Sequence, residues 1–119
     1  MQNLVDKIFQ LQSKMGYIKK INQSVEERMD YYRDITLSLV KEAMEALDET
    51  PWRPWINIFE QQLDRNKAAF EVCDVIVFAI VLFIILEPSI SLEEAMDKTL
   101  AKIENRINNE GYGRKERKQ

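Results

Sequence analysis

The chain has no histidine, one cysteine, three glycines and three prolines in 119 residues. Without histidine, Ser-His-Asp and Cys-His catalysis and histidine-ligated zinc are excluded, and any metal ion must be held by carboxylates. Cys73 has no partner for an internal disulfide, and no basic stretch followed by a cleavable apolar segment opens the sequence. A reducing, cytoplasmic setting is therefore expected. The scarcity of glycine and proline leaves little material for turns and favours long helices over a sheet. Positive charge is not in excess either: 17 basic and 20 acidic residues give a net charge of −3. Such a surface offers nothing broad to a phosphate backbone, so no nucleic-acid partner is expected. The longest uninterrupted apolar run, Val75 to Leu86, has twelve residues, short of the roughly 20 that cross a bilayer. No membrane partner is expected.

What is present is the balance of a soluble protein, 45% apolar and 31% charged, at a length suited to one domain. Leu4, Val5, Ile8, Leu11, Met15, Ile18 and Ile21 recur at three and four residues, which predicts a helix from Gln2 to about Asn22. Ser24 and Glu27 have the spacing of a capping box, opening a second helix to about Glu49. Val25, Met29, Tyr32, Thr36, Leu39, Ala43 and Leu47 should face inward, and Pro51 and Pro54 end the helix. Residues 56 to 65 read as a short amphipathic turn of helix. From Lys67 the chain is apolar on every side except at Glu71 and Asp74, until Glu87-Pro88, which predicts a buried central helix. Ser91 and Glu94 form a second capping box, opening a fourth helix to about Glu110. Residues 1–112 thus form one all-α domain resembling a four-helix bundle, and 113–119 a basic, solvated tail. Three short neighbours cannot cover a helix that is apolar all round, so a homodimer or larger assembly is expected.

The chemistry-bearing residues are acids. Glu42 and Glu45 share a stripe on the second helix beside its apolar face. Glu71 and Asp74 repeat the i, i+3 spacing in the most apolar segment, where an unpaired carboxylate costs several kcal/mol unless it finds a cation or a proton. Taken singly, each pair also fits a solvated face or a helix N-terminus that favours negative charge. Taken together they form ExxE, 25 residues, then ExxD, two helices each presenting two carboxylates. Such an oxygen set suits Mg²⁺ or Mn²⁺, and Mg²⁺ prefers to share phosphate oxygens, so a nucleoside polyphosphate is the natural guest. Lys98, Lys102 and Arg106, with Asn105 beside them, line one side of the fourth helix, either as an ordinary basic surface or as a phosphate clamp.

The pair Glu42-x-x-Glu45 and Glu71-x-x-Asp74 resembles the motifs of the all-α nucleoside triphosphate pyrophosphatases: MazG-type enzymes, dimeric dUTPases and phage dCTPase/dUTPases. The segment EAMEALDETPWRPW at 42 to 55, with Trp52, Arg53 and Trp55, is similar to the acidic motif and tryptophan turn of the dimeric dUTPases. KTLAKIENRINNEGY, beginning at Lys98, resembles their lysine, asparagine and arginine region, and LQSKM at 11 to 15 their first helix, where a glutamine reads the base. Gly16 stands where an asparagine or aspartate is common, and Val77 where a histidine often stands. The base preference therefore stays open between U, C and a broad range.

The resemblance implies a MazG-type fold assembled as a dimer or dimer of dimers. It implies an enzyme that converts dUTP to dUMP and pyrophosphate by attack at the β-phosphorus, or alternatively a dCTPase or broad house-cleaning pyrophosphatase. Glu42, Glu45, Glu71 and Asp74 would hold Mg²⁺, with Glu45 accepting the proton of a water. Lys98, Lys102, Asn105 and Arg106 would bind phosphates. Gln12, Trp52 and Trp55 would lie near base or sugar, although the tryptophans also fit bundle-end packing. The reading from another class is a non-catalytic helical dimerisation module.

Overall fold

A computed structural model describes residues 2–15, 24–55 and 63–110. Among the described residues there are four helices and no strand: α1 (Gln2–Lys14), α2 (Val25–Asp48), α3 (Arg65–Leu86) and α4 (Leu92–Glu110). Both serine caps form as expected. Ser24 Oγ accepts from the Glu27 N–H at 3.2 Å, and Ser91 Oγ from the Glu94 N–H at 3.1 Å. Each hydroxyl satisfies one of the amides that a helix start leaves free. α2 closes with the Glu49 N–H on the Glu45 carbonyl at 3.2 Å, just before Pro51. α3 starts two residues earlier than Lys67 because Asp64 caps it, its carboxylate accepting from the Lys67 N–H at 3.0 Å. At its other end Glu87 takes the left-handed conformation, φ 47° and ψ 55°, ahead of Pro88. The expected extension of the first helix through Ile18 and Ile21, most of the turn at 56 to 65, and the basic tail lie outside the described residues.

α2 and α3 run antiparallel in close contact. Arg28 pairs with Glu87 at 3.5 Å at one end, and Lys67 with Glu49 at 3.5 Å at the other. α1 packs on α3, and α4 joins through its first turn, where Leu92 meets the core. That core is small: Ile8, Tyr31, Ile80, Val81 and Ile85, flanked by Val5, Tyr32, Ile35, Leu82 and Ile84. Val81 and Ile85 are 1% and 0% exposed, and full burial of each such aliphatic contributes about 1.5–3 kcal/mol.

Two expectations about burial change within a single chain. α3 is central, with α1 and α2 packed on it, but it is not buried all round: Phe70, Val72, Ile76 and Val77 are exposed, and only 17% of its most apolar window is buried. By length and composition α3 could cross a membrane. On α2, Tyr32, Thr36 and Leu39 are half-buried, but Val25, Met29, Ala43 and Leu47 are exposed. The stripe turned to α3 is Arg28, Tyr31, Ile35, Ser38, Glu42, Glu45 and Glu49, about 120° round the helix from the expected apolar one. The helix carries two faces, and packing on α3 uses the more polar of them. The radius of gyration, 18.3 Å, exceeds the roughly 13.5 Å of a compact domain of this length.

Candidate metal centre

Glu42, Glu45 and Glu71 converge where the second half of α2 passes the first half of α3. Each can place one carboxylate oxygen so that all three lie within 4.8 Å of one another. Their meeting follows from two helical rows along the α2–α3 seam. Ile35, Ser38, Glu42 and Glu45 recur at three and four residues on α2, as do Glu71, Asp74, Phe78 and Val81 on α3. Asp74 lies one turn beyond Glu71, is solvent-exposed and stands outside the trio.

Partial burial and a hydrogen bond shared with Glu45 push the Glu42 carboxyl above its ordinary value of 4.5. The negative charges of Glu45, Asp74 and Glu71 push it the same way. Among the described residues no lysine or arginine pairs with any of these four acids. The nearby cations are committed elsewhere, Lys67 to Glu49 and Arg53 to Asp48 at 3.0 Å. Three oxygen ligands without a protein counter-ion fit a hard divalent cation, which would relieve the repulsion that raises Glu42.

Next to the acids along the same seam is a cleft of about 450 Å³. Its lining combines the polar side chains of Gln12, Tyr31, Asp34 and Ser38 with the apolar ones of Met15, Ile35, Val77, Phe78 and Val81. Ser38 sits one turn before Glu42 and Phe78 one turn after Asp74, so the cleft and the carboxylates share one groove. Gln12 is held there by the Tyr31 phenol, which donates to its Oε1 at 3.0 Å.

The other anticipated residues lie elsewhere. Trp52 and Trp55 form an edge-to-face pair, centroids 5.6 Å apart, just beyond the end of α2. Arg53 stacks on Trp52 at 5.2 Å, and the Trp52 indole N–H reaches Asp48 at 3.4 Å. Neither ring lines the cleft, and Trp55 is 70% exposed. Lys98, Lys102, Asn105 and Arg106 occupy the part of α4 from Met96 to Asn109, where every residue is exposed. Lys98 pairs with Glu94 at 3.8 Å, and Asn105 accepts from Asn109.

Sequence reasoning missed Tyr31, Asp34, Ser38 and Phe78. Extending the acidic stripe backwards from Glu42 by threes and fours reaches Ser38 and then Tyr31, a signal that the neighbouring apolar stripe obscured. In comparisons with protein-family models, curated proteins and solved structures, nothing matches the chain.

Proposed function

We propose that the protein is a Mg²⁺-dependent pyrophosphohydrolase of deoxynucleoside triphosphates, with dUTP preferred, releasing the monophosphate and pyrophosphate. The observation that carries this is the carboxylate trio within 4.8 Å, drawn from two helices and without a protein cation among the described residues, beside a cleft lined by both apolar and polar side chains. Metal-binding carboxylates next to a pocket for a flat, partly apolar ring are the parts a nucleotide needs. Glu42, Glu45 and Glu71 hold Mg²⁺ in this reading, with Asp74 adding negative charge at the rim. When bound, Mg²⁺ supplies positive charge to offset the phosphates and makes water more acidic. Glu45 would accept the proton of a water whose oxygen bonds to the β-phosphorus, the bond from that phosphorus to the α,β-bridging oxygen would break, and the monophosphate would leave while the pyrophosphate keeps the water oxygen. Gln12, in the lining of the cleft, reads the base.

The working unit in this proposal is a homo-oligomer. Ile76 on α3 and Val25, Leu37, Val40 and Met44 on α2 leave extensive apolar surface uncovered. Leu4, Ile76, Ile80, Phe83, Leu92 and Met96 also line an apolar groove of about 540 Å³ between α1, α3 and α4. A second chain fits this surface better than a bilayer does. Val75–Leu86 rises about 18 Å against a hydrocarbon core of about 30 Å, and a full span would immerse Glu71, Asp74 and the Lys67–Glu49 pair. The same surface favours a non-catalytic helical dimerisation module as the second reading.

Incubation with each dNTP and Mg²⁺, followed by pyrophosphate release, tests the proposal. Turnover of dUTP that is abolished by EDTA is expected. Faster turnover of dCTP would move the assignment to a dCTPase, and similar rates on all four to a broad pyrophosphatase. No turnover of any dNTP would leave the dimerisation module.

A further inference from the structure

The seam between α2 and α3 is built of two rows with the same spacing. Ser38, Glu42, Glu45 and Glu49 on α2 and Lys67, Glu71, Asp74 and Phe78 on α3 each recur at four, three and four residues, so each row forms one stripe. Because the helices are antiparallel, the rows meet in matched layers. Ser38 and Phe78 line the cleft, and the charge of Asp74 acts on Glu42. Glu45 and Glu71 belong to the trio, and Glu49 holds Lys67 at 3.5 Å. The order along the seam is therefore cleft, carboxylates, cation.

A nucleoside triphosphate has a matching linear order of base, sugar and phosphates. With its base in the cleft and its phosphates at the carboxylates, it directs its terminal phosphate away from the cleft, towards Lys67. One helical turn, about 5.4 Å, separates Lys67 from Glu71, a span that the four-carbon stem of a lysine covers. The Lys67 side chain is 62% exposed, so its pairing with Glu49 does not shut it away. Its ammonium carries three N–H donors, more than the contact with Glu49 uses. Lys67 also stands in the first turn of α3, which holds no acidic residue and where the helix dipole favours an anion. A divalent ion does not cancel the charge of a triphosphate beside these carboxylates, which leaves a place for a protein cation.

We infer that Lys67 binds the terminal phosphate, so that the α2–α3 seam selects nucleoside triphosphates over diphosphates, with Glu49 as the positioning residue that holds its ammonium at that end. The inference rests on the proposed dNTP hydrolysis and deepens it, since it assigns the count of phosphates, independently of the base, to the layer beyond the carboxylates.

Equilibrium binding of α,β-imido dUTP and α,β-imido dUDP with Mg²⁺ tests it, alongside turnover of dUTP and dUDP, in wild type, Lys67→Gln and Lys67→Arg. If another base is turned over faster, the tri- and diphosphates of that base take their place. Binding is expressed per folded molecule, and the metal-free Tm of Lys67→Gln should stay close to wild type because an exposed ion pair contributes little. Lys67→Gln should weaken the triphosphate analogue by about 10- to 100-fold, the loss of a charge-assisted hydrogen bond, and raise KM for dUTP in step. The diphosphate analogue, which ends at the carboxylates, should weaken by about threefold at most, because the charge removed is exposed and out of contact. Lys67→Arg keeps the charge and the donors and should restore most of the preference for the triphosphate.

Equal losses on both analogues, or none on either, would make Lys67 only the partner of Glu49 and overturn the inference, while the hydrolase reading stands. A wild-type protein that turns over no dNTP overturns the hydrolase reading and this inference with it.

Discussion

Glu71→Gln is the sharpest test of the metal centre, because Glu71 is the one ligand that α3 adds to the trio. The change keeps the volume of the side chain and removes its charge. No lysine or arginine among the described residues pairs with Glu71, so the substitution strands no cation. The metal-free protein should therefore change in stability by no more than about 0.5 kcal/mol, as for an ordinary surface substitution. A bound ion stabilises the fold by RT ln(1 + [L]/Kd). At free Mg²⁺ ten to a hundred times the dissociation constant this is about 1.4 to 2.7 kcal/mol, or a rise in Tm of about 6 to 11 °C at this chain length. The variant, left with Glu42 and Glu45 on one helix, should lose most of that rise and fall in dNTP turnover on the order of a hundredfold or more. The assay is differential scanning fluorimetry with and without Mg²⁺, paired with pyrophosphate release. A wild-type Tm that moves by less than about 1 °C over a full Mg²⁺ titration, or a variant that keeps the whole rise, would refute the trio as a cation site.

Asp74→Asn, which removes charge at the rim but no member of the trio, should reduce turnover less than Glu71→Gln while leaving the metal-free Tm unchanged or slightly raised. Turnover that falls as far as in Glu71→Gln, with the Mg²⁺-induced rise in Tm lost as well, would instead make Asp74 a ligand. Glu42 gives a pH signature. Its folded-state carboxyl lies above the ordinary 4.5, so between those values the folded chain holds a proton that the unfolded chain has released. Its contribution to stability is thus fully present below about pH 4.5 and is lost as pH rises through the folded value. Metal-free melting of wild type against Glu42→Gln should show that slope in wild type only, and parallel curves would contradict it. Light scattering at micromolar concentration should give at least twice 14.1 kDa, and Ile76→Glu, placing charge on exposed α3 surface, should shift the mass towards the monomer. A wild-type monomer would remove the argument for a partner chain.

The local rules were legible in the sequence. Serine three residues ahead of glutamate starts α2 and α4 because a hydroxyl can satisfy a free amide whatever packs around it. Pro51 and Pro88 follow the ends of α2 and α3 because the residue before a proline resists helical geometry. The i, i+3 spacing of Glu42 with Glu45 and of Glu71 with Asp74 puts each pair on one side of its own helix by period alone. What the sequence left undetermined was which side of each helix meets which neighbour. α2 carries an apolar stripe and, about 120° away, a mixed one, and hydropathy favours the first. The contact with α3 selects the second, leaving Val25, Met29 and Leu47 exposed. That rotation brings Glu42 and Glu45 to Glu71 while Asp74 stays at the rim, and it seats Tyr31 in the core within reach of Gln12. Helix caps depend on neighbours three residues away along the chain, whereas convergence of side chains from three helices depends on rotations and offsets that only packing fixes.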